Sequence, residues 1–421
     1  MTPFKKTFTL EGKQFVRSRI TWLGFAIVFI IGVYAIFHGK ILIAEQQKVI
    51  NQVDAVQEDQ LRTHIIHNAD QEVGALLYYQ FFYTKNEPSK WAAFSVGQRD
   101  INAYTLKVRM LAVEGQLYDT ELSNPNTLLS GNLDLSFVII FLFPLLIISL
   151  CFNILSGEQE SGIWALVASQ PVSEMKVLLM KFLVRFLPIF ILMGLLLTLS
   201  VLILNLPIDQ PLFLIFTLST AYIIFWFLVV YIIVLFRQHS NFNAVTLLSV
   251  WLLLVVLIPA FANVLVSSLV PIPEALATAV VQREAYHEKW DMPKNIVMDP
   301  FFTSYPQYSH YPIPEDRFSY GWYYAMMFAA DKEANNSSAV LFDKLAKRQE
   351  LGIKIGFFVP SLFLQNQFNR IAKTDLEDHV NYLRSVKAYH REISEFFYPY
   401  VFEAVLPAEL DWDLVPKYSR N

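Results

Sequence analysis

"SGEQESGIWALVASQPVSEMK", residues 156–176, breaks into a stretch that is otherwise written for lipid. Before it runs "LDLSFVIIFLFPLLIISLCFNIL" (133–155), and soon after it "FLVRFLPIFILMGLLLTLSVLILNL" (182–206). Each run exceeds the ~20 residues that a membrane-crossing helix needs. The insert between them carries two glutamates, a tryptophan and a helix-stopping proline. What it is for decides what the chain is.

Working outward, the 421 residues are 54% hydrophobic, 15% aromatic and only 17% charged. Soluble domains carry about 25% charged residues, so the composition points to an integral membrane protein. A net charge of −4 with no basic stripe gives no footprint for nucleic acid. The one cysteine, Cys151, excludes an intrachain disulfide and reads as a small packing residue.

The apolar pattern predicts five transmembrane helices: 21–37, 133–155, 181–206, 212–236 and 244–270. Residues 1–20 hold Lys5, Lys6, Lys13, Arg17 and Arg19 against one acid, Glu11. The positive-inside rule therefore keeps the N-terminus in the cytoplasm. This segment suits either a simple basic flank or an interfacial elbow helix, with Phe15 toward lipid and Arg17 and Arg19 at the headgroups. Lys181, Arg185 and Arg237 fall on the same side, so the insert at 156–180 is expected in the cytosol. Residues 38–132 and 271–421 are then two parts of one mainly helical extracytoplasmic domain. The fold class is an all-α polytopic membrane protein.

Several local features follow. Pro144 and Pro259 lie inside the second and fifth spans, where neighbours must satisfy the freed carbonyls. "LGIKIGFFVPSLFLQ" (351–365) and "FFYPYVFEAVL" (396–406) are too short to span, and Lys354 would cost about 2.5–3.5 kcal/mol at mid-bilayer. Both read as core or interfacial helices of the second external region. Asn153 and Asn263 are polar at membrane depth and could line a path or bond between helices. The insert reads as a short amphipathic helix with a Ser156–Gln159 capping box, anions Glu158 and Glu160 early, and a stripe of Ile163, Leu166 and Val167 beside Trp164. Gln170 precedes Pro171, which stops it. Periodicity alone fits a plain connector as well as a helix that docks in a partner's groove.

These same residues resemble a known pattern. A kinked span followed by "GEQESGIWALVASQPVSEMKVLLMK" is similar to the signature of ATP-binding cassette permeases of the ABC-2 type. The matching positions are Glu158, Glu160, Gly162, Pro171, Val172, Ser173 and Lys181, while Ile163 and Trp164 replace the usual Thr-Leu. The long block after the first span and "DHVNYLRSVKAYHREISEFFYPYVFEAV" (378–405) resemble a subgroup with large external domains. The family usually has six spans, and five are predicted here.

The resemblance implies the permease subunit of an ABC transporter, of exporter type, in a bacterial inner membrane. It implies a coupling role for Glu158, Glu160, Gly162, Ile163, Trp164, Leu166, Val167 and Pro171. The expected partners are an ABC ATPase subunit, a second permease copy or related permease, and the lipid bilayer. No P-loop G-x-x-x-x-G-K-[ST] occurs, so ATP and Mg would be held by the partner, with no cofactor in this chain and no catalytic residue. Two rivals are weighed. One is a mechanotransmission permease that drives an extracytoplasmic partner protein. The other is a membrane-anchored metal-dependent enzyme using His287, His310 or His390, for which no H-E-x-x-H spacing exists. The aromatic tract 305–327 reads as internal packing ahead of a recognition or headgroup-docking face, and "NNSS" (335–338) fits a glycosylation acceptor and an exposed turn equally well.

Overall fold

Proline placement shapes this fold more than any other local signal. The structure, a computed structural model, describes residues 3–118, 133–169, 173–272, 274–313 and 316–420. Helix α1 (Pro3–Arg17) is the elbow; it stops at Ser18, whose side chain accepts from the Thr21 amide at 3.4 Å and caps α2 (Arg19–His67). α2 runs unbroken for 49 residues, ~73 Å at 1.5 Å per residue. It carries the first apolar run and continues past the expected boundary at residue 37, because nothing beyond Phe37 breaks a helix. Near its middle, a Cβ on Gly39 would come within 2.2 Å of Ala93 O, so only glycine allows that approach.

After α2 come α3 (Val73–Tyr79), strands β1 (Phe82–Lys85) and β2 (Thr105–Val108), and α4 (Val113–Tyr118). The strands pair antiparallel with Phe82 opposite Val108, a small ribbon that the all-helical expectation lacked.

The second span is α5 (Leu135–Phe137), a π-helical segment Val138–Leu142, and α6 (Phe143–Cys151). The insert forms α7 (Ser156–Glu160) and α8 (Ile163–Ala168). The third and fourth spans are α9 (Glu174–Leu204) and α10 (Gln210–Leu235). The fifth is α11 (Ser240–Trp251), a π segment Leu252–Leu257, and α12 (Ile258–Leu269). Five helices are thus long and apolar enough to cross a membrane. α9 begins seven residues before the expected Lys181, which is buried in an ion cluster and so does not mark the wet end of the helix.

Both span prolines follow a π segment, and each leaves a carbonyl without its helical donor. Pro144 frees Ile140 O, which Tyr222 Oη fills at 3.0 Å; Trp251 Nε1 donates to the neighbouring Phe141 O at 3.2 Å. In the fifth span, Ser361 Oγ donates to Leu254 O at 2.6 Å, next to the turn that Pro259 opens. Neighbours thus satisfy the freed carbonyl by a named side chain in the second span, while in the fifth Ser361 reaches the carbonyl beside it.

The remaining helices are α13 (Glu274–Asp291), α14 (Lys294–Ser304), α15 (Tyr320–Phe358), α16 (Pro360–Ala372) and α17 (Leu376–Phe402). Two hydrophobic cores result. The first joins the five spans, the loop residues Trp91 and Phe94, and Leu364, Phe368 and Ala372 of α16. The second, built around Phe301, Tyr324, Tyr382 and Phe397, belongs to a separate domain. The aromatic tract packs there: Tyr308, Trp322, Tyr323 and Tyr324 are buried, and Tyr324 Oη donates to Gly74 O at 2.8 Å. "NNSS" is no turn; it lies within α15, where Asn335 accepts from Lys387 at 3.2 Å.

Residues 351–365 depart from the expected domain helices. The end of α15 and the whole of α16 fold into a hairpin at Val359–Pro360 that packs among the spans. Ser89 Oγ donates to Ala372 O, Ser95 Oγ to Asn369 Oδ1 at 2.8 Å, and Ser361 reaches the fifth span. Neither arm is among the helices apolar and long enough to cross a membrane; the two pack as a hairpin against the spans. "FFYPYVFEAVL" does sit in the domain core, through Phe397, Tyr398 and Val401.

Candidate functional site

The insert closes the bundle at its elbow end. Gly162 separates α7 from α8 with φ +75°, a left-handed conformation that side chains oppose, so the expected single helix is two pieces. The capping box does not form. Ser156 lies inside α7, and its hydroxyl instead meets Ser240 Oγ at 2.8 Å.

The two glutamates point in different directions. Glu158 pairs with Lys181, and Lys181 Nζ also lies 3.1 Å from Glu11 of the elbow. Arg185, 3.9 Å from the other Glu11 oxygen, donates to Leu150 O at 2.9 Å and to Lys181 O at 3.0 Å. Lys181 is only 2% exposed. Two acids and two bases thus form a charge-balanced cluster that ties elbow, insert and third span together. Burial makes each partner dependent on the others, since removing one leaves a stranded charge. Glu160 reaches the other way: its oxygens accept from Ser240 N at 2.7 Å and Ser240 Oγ at 3.0 Å, capping the fifth span from a different segment. Asn243 Nδ2 completes the tie by donating to Phe152 O at 3.2 Å.

What remains outward is apolar. Ile163 is 50% and Leu166 69% exposed, beside exposed Gly162 and Ala165, while Trp164 folds back onto the bundle core. Pro171, Val172 and the side chain of Val167 lie outside the described residues. In the elbow, Phe15 packs edge-on to Phe25 at 6.2 Å and Arg17 and Arg19 are exposed. Asn153 and Asn263 are both exposed in the single chain; neither bonds another span.

Sequence inspection did not single out Ser240, Asn243, Tyr222 or Ser361. A signal existed for Ser240, because a serine opening a long apolar run marks a helix start. Tyr222 and Ser361 had none, since their partners are backbone carbonyls fixed only by packing.

The histidines offer no centre. His287 leans on Tyr286 and His310 on Tyr311. Half-buried His390 bonds Arg109 O and Leu111 O through Nε2, and loss of hydration holds its pKa down to about 4. Buried His379 is likewise held near 4. Opposite them, Asp331 caps α4 by accepting from Val113 N at 2.7 Å and Glu114 N at 3.1 Å. Burial pushes its carboxyl up to about 7, with Glu114 adding to the rise. Among the described residues no three His, Cys, Asp or Glu side chains are grouped to hold a metal ion.

Fold and site together define a class: a mostly helical, multi-span membrane protein with a folded domain at one end. Residues 276–420, which hold the hairpin and most of the second core, match the family described as a domain of unknown function, DUF3526. No curated protein and no solved structure matches the chain.

Proposed function

We propose that this chain is the membrane subunit of an ABC-2-type ATP-driven transporter, with the insert in the cytosol as its contact to a separate ATPase. The observation that carries this is the construction of the insert. Glu158 and Glu160 tie it to elbow, third span and fifth span, while Ile163 and Leu166 face outward with nothing among the described residues to cover them. A plain connector needs neither the ties nor the apolar face. A segment that must take a push and pass it to three elements needs both. ATP binding would shift the permease only so far as it favours one state of this contact over the other. The largely uncovered fifth span supports pairing with a second permease.

Leu166→Asp and Ile163→Asp test this, because both positions are exposed and the fold does not depend on them. Purified with its ATPase and reconstituted, each variant is expected to lose at least tenfold in coupled turnover with its melting temperature unchanged. Full coupling in both, or failure to recover any P-loop ATPase with the wild-type chain, would sink the assignment.

One observation favours a second reading, force delivery to a partner beyond the membrane. α2 runs from the end of the elbow into the domain as one helix, so tilting its foot at Arg19 moves the domain end without a break along residues 19–67. Substrate-stimulated ATPase activity in vesicles would speak against that reading.

A further inference from the structure

The hairpin carries an ion pair where lipid would be expected. Its depth follows from two ties. Ser361 bonds Leu254 O, midway along the fifth span and ~22 Å below Leu269 at 1.5 Å per residue. Higher up, Arg348 Nε donates to Val270 O at 2.8 Å, so the descending end of α15 runs beside α12. Counting back from the corner at Val359, Lys354 stands ~15 Å and Glu350 ~9 Å below Leu269. Glu350 and Lys354 pair at 2.6 Å, yet their side chains are 63% and 66% exposed. One turn deeper the character reverses, with Phe357 70% and Phe358 82% exposed.

Magnitudes decide what lies against this face. The fifth span is ~45 Å long against ~30 Å of hydrocarbon, so Lys354 stands ~7 Å inside the hydrocarbon edge and Glu350 near it. A charge facing lipid costs about 2.5–3.5 kcal/mol at the centre and less toward that edge. In hydrocarbon the pair attracts more strongly than in water, but that offsets desolvation only where further hydrogen bonds satisfy both groups, and among the described residues exposed Glu350 and Lys354 show only each other. Water removes the cost altogether. The phenylalanines call for the opposite surroundings. Asn263, ~9 Å below Leu269 on the adjacent α12, is exposed at the height of the pair.

We infer that a water-filled recess enters the membrane from the domain side along the α15 arm, reaches Lys354, and is floored by Phe357 and Phe358. Its wall offers one charge of each sign, so it admits small hydrophilic solutes of either charge. The inference rests on the transporter reading only for the side of the membrane to which the recess opens, and it places the outer mouth of a transport path.

The test uses single cysteines in the full chain with Cys151→Ser, since Cys151 is the sole native cysteine. Lys354→Cys, Glu350→Cys, Phe358→Cys and, as a reporter on the exposed domain surface, Lys332→Cys are treated in intact cells and in inverted vesicles with a charged, impermeant methanethiosulfonate. Positions 354 and 350 are expected to react at least a hundredfold faster than 358 and within tenfold of 332. A cysteine lacks the reach to bring a thiol up to the headgroups, so reaction at 354 reports water at that depth. If 332 reacts and neither 350 nor 354 does, lipid covers the face and the recess is wrong. If 358 reacts as fast as 354, the floor is wrong and the inference falls with it. Reaction of 350 and 354 only in inverted vesicles would leave the recess standing and overturn the proposed orientation, which separates the two failures.

Discussion

The second and fifth spans use the same device in opposite surroundings. Each begins or continues as α-helix, loosens into a π segment, and resumes at a proline, Pro144 in one and Pro259 in the other. Yet 61% of the most apolar window of the second span is buried, against 11% for the fifth. The second is gripped on all sides, its freed carbonyl filled by Tyr222 from the fourth span. The fifth is held by a cap at its foot, by Trp251, and by Ser361 from the hairpin. A proline-opened helix can therefore be central packing or a lightly held arm, and the proline alone does not say which. What differs is how many neighbours arrive.

Large-to-small substitution puts that contrast most directly. Phe143→Ala in the second span, fully buried, is expected to cost about 3–5 kcal/mol, seen as a large drop in detergent melting temperature. Leu253→Ala in the fifth, 47% exposed, should stay within about 0.5 kcal/mol. Equal losses would mean the fifth span is packed after all. Close behind, Lys181→Met should cost about 3–5 kcal/mol by stranding Glu11 and Glu158 at the foot of the bundle. Glu160→Gln, which loosens only the foot of the fifth span, should lower the melting temperature far less than Lys181→Met does.

Acid probes the domain that both spans support, through groups of opposite sign. His379 and His390, held near 4 against an ordinary 6.5, lose stability as pH falls from 6.5 toward 4, about 3 kcal/mol each at pH 4. Asp331, raised to about 7 from 3.8, returns nearly 4 kcal/mol over the fall from 7 to 4, by about the same arithmetic. Melting curves of the full chain should therefore show a deeper acid loss in Asp331→Asn, which removes the offsetting group, than in wild type. A variant no more acid-sensitive than wild type would contradict the assignment for Asp331. The last pair compares the two carbonyl donors. Tyr222→Phe, in the tight span, should cost about 1–3 kcal/mol, and Ser361→Ala at the looser one about 1 kcal/mol or less, where water can substitute.

Much of this was legible in the sequence. Five spans emerged from run length, and Pro144 and Pro259 announced both irregular helices. Ile163 and Leu166 were found from spacing. The inward roles of Glu158 and Glu160 were not, because their partners Lys181 and Ser240 are distant in sequence and only the fold brings them close. Lys354 misled more usefully: its charge argued for a helix of the domain, and the hairpin packs against the spans nonetheless. Composition alone does not tell which face of a helix its neighbours cover.

The contact of Gly39 with Ala93 has a mechanical corollary. The long first helix is pinched there, ~30 Å from its start and ~42 Å from its end by its rise per residue. A rod pinned at that point behaves as a seesaw with unequal arms: its two ends swing in opposite senses, and the tip in the domain travels about 1.4 times as far as the foot. Anything docked near residue 67 would feel a small rocking at the elbow enlarged and reversed.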